Sequence, residues 1–219
     1  MSRSAAAVSL NNIPISQSAI LSIRARILEA ASEMFRREGY DVSMDAIAAA
    51  ANVSKQTLYN QFGSKEDLFK AMVADRASAM KAPLQVHALE RHPRDMLADV
   101  ARQYYTHFCT ADELSYYRMI IGASLQFPEI GEAYYDAGPK QVLDALTSWI
   151  AREERIGRLD TGGEPAVAAE HFLGLITARL ETRGLLGRDI EMTPNEIERR
   201  SRFCAEVFMR AFGPEGLNR

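Results

Sequence analysis

The stretch Ser43 to Phe69, SMDAIAAAANVSKQTLYNQFGSKEDLF, constrains the fold more than any other part of the chain. Ser43, Ser54 and Ser64 each stand just before a helical pattern, where a hydroxyl accepts from a free backbone N–H. Asp45 follows Ser43 in the first turn, where negative charge suits the helix dipole. Met44, Ile47, Ala48 and Ala51 recur at helical spacing and form a thin apolar face that lets another helix approach closely. Asn52 breaks that run, and asparagine tolerates the left-handed backbone that a turn between crossing helices needs. Asp67, three residues after Ser64, resembles a capping box with Asp in place of Glu. The spacing predicts two short helices around a tight turn, with a third helix starting at once.

The second of these helices, Lys55 to Gln61, turns Leu58 and Phe62 towards a core. Its remaining sides carry Lys55, Gln56, Thr57, Tyr59 and Asn60. Amides pair with base edges, threonine bonds a base or touches a thymine methyl, and lysine and tyrosine reach phosphates. Lys65 lies in the first turn of the next helix, where a cation opposes the dipole unless a phosphate docks there. The bland alternative is a three-helix packing motif with a solvated polar face. The agreement of caps, turn residue and alternating core and polar positions favours a DNA-reading helix-turn-helix.

These residues resemble the N-terminal domain of TetR-family transcriptional regulators. The resemblance runs through Arg26-Ile27-Leu28-Glu29-Ala30-Ala31, Phe35 and Gly39-Tyr40 to Ser43-Met44-Asp45-Ala46-Ile47-Ala48. It continues through Ala51 to Tyr59, Phe62 and Ser64 to Phe69. It implies that Ser43, Tyr59 and Lys65 anchor phosphates and that Lys55, Gln56, Thr57 and Asn60 face the major groove. Ser54, which caps that helix, belongs to the same DNA-binding set. The resemblance also implies a dimer that binds a palindromic operator and releases it when a small molecule enters the C-terminal domain. Two positions depart from the family pattern. Asn52 replaces the usual Gly, and Gln56 replaces a small residue and sets a base-reading amide near the front of the recognition helix.

Composition fits an ordinary globular chain, with 219 residues, 47% hydrophobic and 25% charged. The net charge is −3, with +1 in the first seventy residues and −4 in the rest, so any grip on DNA comes from a local patch. Cys109 and Cys204 show no metal-binding spacing and read as buried thiols in a reducing cytoplasm. No metal site or cofactor is expected. Residues 1–17 read as a disordered arm whose Arg3 could reach a minor groove. No apolar run is long enough to span a membrane, and none is expected to be a partner.

The expected fold is all-α with about nine helices. Residues 18–63 form the helix-turn-helix domain, and 64–219 an effector-binding and dimerisation domain. Helix one runs from about Ser18 to Glu38, and the helix from Ser64 heads towards Pro83 as a connecting rod. Further helices are expected at about 94–110, 112–126, 128–137, 139–155, 164–183 and 193–212. Phe127-Pro128-Glu129-Ile130, Ala133-Tyr134-Tyr135 and Gly138-Pro139 resemble the C-terminal domain of AcrR-type members, which implies control of efflux or transport genes. Polar handles on apolar stretches suggest a pocket for a lipophilic small molecule. Its expected residues are Tyr104, Tyr105, Phe108, Met119, Phe127, Tyr134, Trp149, His171 and Arg179. The two C-terminal helices are expected to pair across a dimer through Phe172, Ile176, Phe203, Val207 and Phe208. An enzyme is disfavoured, because no nucleophile elbow, phosphate loop or metal motif is found. A helical protein-interaction module is disfavoured by the polar recognition helix, and a DNA-binding activator that responds to no ligand is the other alternative.

Overall fold

The computed structural model describes residues 15–85 and 91–214, which form eleven helices and no strand. They are α1 (Ile15–Glu38), α2 (Met44–Ala50), α3 (Lys55–Phe62), α4 (Lys65–Gln85), α5 (Pro93–His107) and α6 (Ala111–Ser124). They continue with α7 (Pro128–Ala137), α8 (Pro139–Arg155), α9 (Pro165–Thr177), α10 (Leu180–Leu185) and α11 (Pro194–Phe212). The expected arm lies outside the described residues, except that 15–17 already belong to α1.

Local signals explain most boundaries. Gly39, at φ 77°, closes α1 with its N–H on the Phe35 carbonyl at 3.0 Å. A capping box between Thr193 and Glu196 starts α11. The all-α expectation holds, with eleven helices among the described residues where about nine were expected, and the span 164–183 is two helices rather than one. Ala178 takes φ 42°, a left-handed backbone that ends α9. α4 also runs through Pro83 to Gln85 instead of stopping at the proline.

Two apolar cores form, and α4 belongs to both. The first joins Ile27, Ala31 and Phe35 of α1, Ile47 of α2, Leu58 and Phe62 of α3, and Leu68, Phe69, Met72 and Val73 of α4. It also takes in Tyr116 and Ile120 of α6 and Ile130 and Ala133 of α7, so it extends beyond residues 18–63. At its centre Phe35 stacks on Tyr40 with centroids 5.6 Å apart, and Phe69 meets both rings edge-on. The second core takes Ala77, Met80 and Leu84 from the far half of α4. These pack with α5, with Leu146 and Trp149 of α8, with Phe172 and Ile176 of α9, and with Cys204 and Phe208 of α11.

That second core corrects the expected dimer face. Phe172, Ile176 and Phe208 are buried inside the single protomer, and Phe172 meets Phe208 edge-on at 5.4 Å. α11 carries two adjacent apolar stripes about 100° apart. The one holding Cys204 and Phe208 is taken by the protomer's own core. Phe203, 64% exposed, and the half-buried Val207 point outwards.

Phe208→Ala should therefore lower folding stability by about 3–5 kcal/mol. Phe203→Ala should change it by less than about 0.5 kcal/mol in the isolated protomer. Denaturant unfolding of the two variants, followed by helical circular dichroism, checks the contrast.

Candidate nucleic-acid interface and cavity

The turn between α2 and α3 is built as its residues require. Ser43 Oγ accepts from the Ala46 N–H at 3.1 Å, and Ser54 Oγ accepts from the Thr57 N–H at 3.0 Å. Asn52 sits at φ 52°, and its carbonyl accepts from Arg26 at 3.3 Å. With Leu58 and Phe62 buried, Lys55, Gln56, Tyr59 and Asn60 are exposed on α3, and Thr57 is half-buried. Gln56 Nε2 donates to Asn60 Oδ1 at 2.7 Å, which aligns the two amides on one face. This bond leaves an acceptor on Gln56 and donors on both side chains, the pattern that pairs with an adenine edge. The Thr57 hydroxyl lies 2.8 Å from Ser54 Oγ and so belongs partly to the cap.

The cations around this face already have partners. Lys55 Nζ lies 2.8 Å from Asp45 Oδ1 and 3.0 Å from Oδ2, and hydrogen bonding to Asp45 raises its pKa. Both side chains are exposed, so the pair contributes little to stability. Lys65 Nζ donates to the Val42 carbonyl at 3.1 Å and lies 4.4 Å from the centre of the Tyr40 ring. Partial burial lowers its pKa. Lys65 thus ties the start of α4 to the loop before α2. Two further cations flank the motif: Arg26 on Asn52, and Arg24, 4.6 Å from the Phe62 ring centre.

A cavity of about 470 Å³ lies between α4, α5, α6, α7, α8, α9 and α10. Val73, Arg76, Ala77 and Met80 of α4 form one wall. Tyr104, Phe108, Tyr116, Tyr117 and Tyr134 supply aromatic surface, with Tyr117 and Tyr134 stacked at 5.6 Å. Its charged lining is Arg76, Glu113 and Glu181. Arg76 bonds Glu113 at 3.0 Å and lies 5.1 Å from the Tyr116 ring centre. Burial raises the Glu113 pKa, and the Arg76 charge partly opposes it. Tyr104 donates its hydroxyl to Glu181 at 3.0 Å. Beside the cavity, the neighbouring Asp112 bonds Arg36 of α1 at 3.4 Å.

Tyr104, Phe108 and Tyr134 of the expected pocket set line this cavity, and Ile176, expected at the dimer face, lines it too. The other six lie elsewhere. Tyr105 is buried with its hydroxyl 3.4 Å from Cys204 Sγ. Met119 and Phe127 pack against the first core, where Phe127 meets Tyr40 at 6.3 Å. Trp149 is buried in the second core. His171 is exposed and bonds its own helix at the Val167 carbonyl, 2.7 Å away, and Arg179 is exposed. The sequence reading missed Arg76, Glu113 and Glu181. For Arg76 the available signal was a lone charge on the apolar stripe of Val73, Ala77 and Met80, whereas Glu113 and Glu181 stand in first helical turns and gave none. Among the described residues no group of His, Cys, Asp and Glu could hold a metal, and both cysteines are free and buried. No described helix is long and apolar enough to cross a membrane.

Comparison with known proteins agrees with this geometry. Residues 27–72 match the model for bacterial regulatory proteins of the tetR family, and residues 95–214 match the C-terminal domain of AefR-like transcriptional repressors. Over 69 residues the chain is 48% identical to the HTH-type transcriptional regulatory protein RaaS of Mycobacterium tuberculosis, a match spanning 30% of this chain and 32% of that protein. It is 26% identical over 175 residues to the uncharacterised HTH-type regulator YvkB of Bacillus subtilis, covering 78% and 88% of the two chains. A TetR-family regulator from Mesorhizobium loti superposes with a TM-score of 0.72 at 27% identity, covering 89% and 98% of the chains. The flavonoid-responsive regulator FrrA superposes with a TM-score of 0.67 at 30% identity, covering 88% and 98%.

Gln56→Ala should weaken binding to a cognate site by about 1–3 kcal/mol and relax preference at one base pair. Competition binding against single-base variants reads this, and equal loss on random DNA would remove the base-reading role. Lys65→Ala should weaken all sequences alike and reduce the slope of log K against log salt by about one. An unchanged slope would leave Lys65 only its brace to Val42.

Proposed function

We propose that this chain, which belongs to the TetR family of bacterial regulatory proteins, is a homodimeric repressor released from a palindromic operator by a small lipophilic ligand. One observation carries the reading. α4 holds the helix-turn-helix core with Leu68, Phe69 and Met72, and walls the cavity with Arg76, Ala77 and Met80. A ligand that displaces the cavity wall of α4 displaces the reading head with it. Ligand and operator then favour different positions of the recognition helices, and each weakens the binding of the other by the same factor.

The relatives support the finer points. The C-terminal match is to a domain described as a repressor's, and FrrA is described as flavonoid-responsive. Gln56, Thr57 and Asn60 read bases in the major groove, while Ser43, Ser54, Tyr59 and Lys65 position the backbone. Lys55 joins them by exchanging Asp45 for a phosphate. Genes for transport or efflux of the ligand are coherent targets, since a lipophilic effector crosses membranes on its own.

The dimer face in this reading is the outward side of α9 and α11. Val167 and Gly174 of α9 are exposed, as is Phe203 of α11, with Val207 half-buried beside it. Two such helix pairs form a four-helix contact that sets two recognition helices on successive half-sites.

Selection of bound sites from random DNA should recover an inverted repeat. A single unrepeated site would overturn the dimeric reading. Phe203→Asp should yield a monomer by light scattering with unchanged helical circular dichroism. A variant that stays dimeric would remove this face from the interface.

A further inference from the structure

We propose that the cavity beside α4 selects a planar aromatic cation over neutral and anionic ligands of the same shape. This rests on the effector reading above and names the chemistry of the effector. The cavity's charges do not balance. Arg76 is engaged by Glu113 at 3.0 Å, which leaves Glu181 without a cation at ion-pair distance among the described residues. Glu181 accepts from Tyr104 through Oε1 at 3.0 Å, and its other oxygen accepts from no described group.

The walls around that carboxylate are aromatic. Tyr104, Tyr117 and Tyr134 reach the same space from α5, α6 and α7. Burial, with the Glu181 charge among the further causes, raises all three phenols above the ordinary tyrosine value. They therefore stay neutral and add π-faces to the one uncompensated carboxylate. Faces of this kind attract cations within about 6 Å of the ring centroid. Arg76, 5.1 Å from the Tyr116 ring centre, already shows the arrangement inside the same cavity. A carboxylate-bearing ligand would meet Glu181, and Arg76, the cation in the cavity lining, is already engaged by Glu113. A cavity of about 470 Å³ has room for a fused three-ring system.

Calorimetric titration of the full chain without DNA tests this with ligands of one shape. The probes are N-methylphenanthridinium, neutral phenanthridine and anionic phenanthrene-9-carboxylate, with the neutral polyphenol naringenin as a second chemistry. The cation should bind at least about tenfold more tightly than phenanthridine, and the carboxylate most weakly. Glu181→Gln keeps an acceptor for the Tyr104 hydroxyl, and it should remove the preference for the cation while leaving phenanthridine affinity within about twofold. Glu191→Gln, on the exposed stretch before α11, should change neither. Phenanthridine or naringenin binding wild type as tightly as the cation would overturn the proposal. So would a cation preference that survives in Glu181→Gln, or binding of none of the probes. These outcomes leave the repressor reading standing, because that is read separately from operator selection. That selection fails it if the chain binds no defined DNA site, and fails its dimeric part if the site is unrepeated.

Discussion

α4 cannot satisfy either core without serving the other. At about 1.5 Å per residue, its 21 residues span roughly 30 Å as one rod. Leu68 and Phe69, both fully buried, fix one end among α1, α2 and α3. Met80 and Leu84 fix the other among α5 and its neighbours. Between them Val73 meets the corner of α7 and α8 so closely that a Cβ on Gly138 would lie 2.8 Å from Val73 Cγ1. Close-packed cores switch between arrangements rather than deform smoothly. In the proposed reading, a change in the cavity wall is therefore passed along the rod.

Charge sets the second constraint. The whole chain carries −3, so no bulk field draws it to a polyanion. The cations near the reading face are committed in advance: Lys55 to Asp45, Lys65 to Val42 and Tyr40, and Arg26 to Asn52. Docking on phosphate exchanges partners more than it creates them, and each exchange yields less than a free cation would. A weak grip per copy suits a protein that binds through two copies at once, since the second contact gains from the first by effective concentration. In the proposed reading it also leaves the amide pair Gln56–Asn60 as the main source of sequence discrimination.

The sequence made the reading head legible because its signals are local. Ser43, Ser54 and Asn52 act within a few residues of themselves, and the structure places all three as their chemistry demands. The cavity and the outer faces depend on how helices pack, which a periodic pattern does not specify. Two apolar stripes on α11 were visible, but the assignment of Phe208 to the protomer's own core follows only from the edge-on contact with Phe172. Aromatic residues such as Phe127 and Trp149 read equally well as core or pocket, and they are core. The residues that give the cavity its charge were hidden differently. Glu113 and Glu181 look like solvated helix starts until Arg76 and Tyr104 are seen beside them. The break at Ala178 had no sequence signal, since alanine favours the helix that it ends here.

In the proposed mechanism the start of α6 joins these constraints. Thr110 caps it by accepting from the Glu113 N–H at 3.2 Å, and the adjacent Asp112 and Glu113 then reach different helices. Asp112 holds Arg36 of α1 in an exposed pair, worth at most about 1 kcal/mol. Glu113 holds Arg76 of α4 inside the cavity, where the 14% exposure of its side chain gives the pair more weight. A ligand that draws on either Glu113 or Arg76 alters the stronger tie, and the weaker one on the next residue shifts with the same turn of helix. Allosteric coupling typically amounts to about 1–3 kcal/mol, or 5–150-fold in affinity. The remaking of one partly buried ion pair is of that size, so in the proposed reading a ligand that favours a different placement of Arg76, on the rod that both cores share, is enough to bias the operator-bound state.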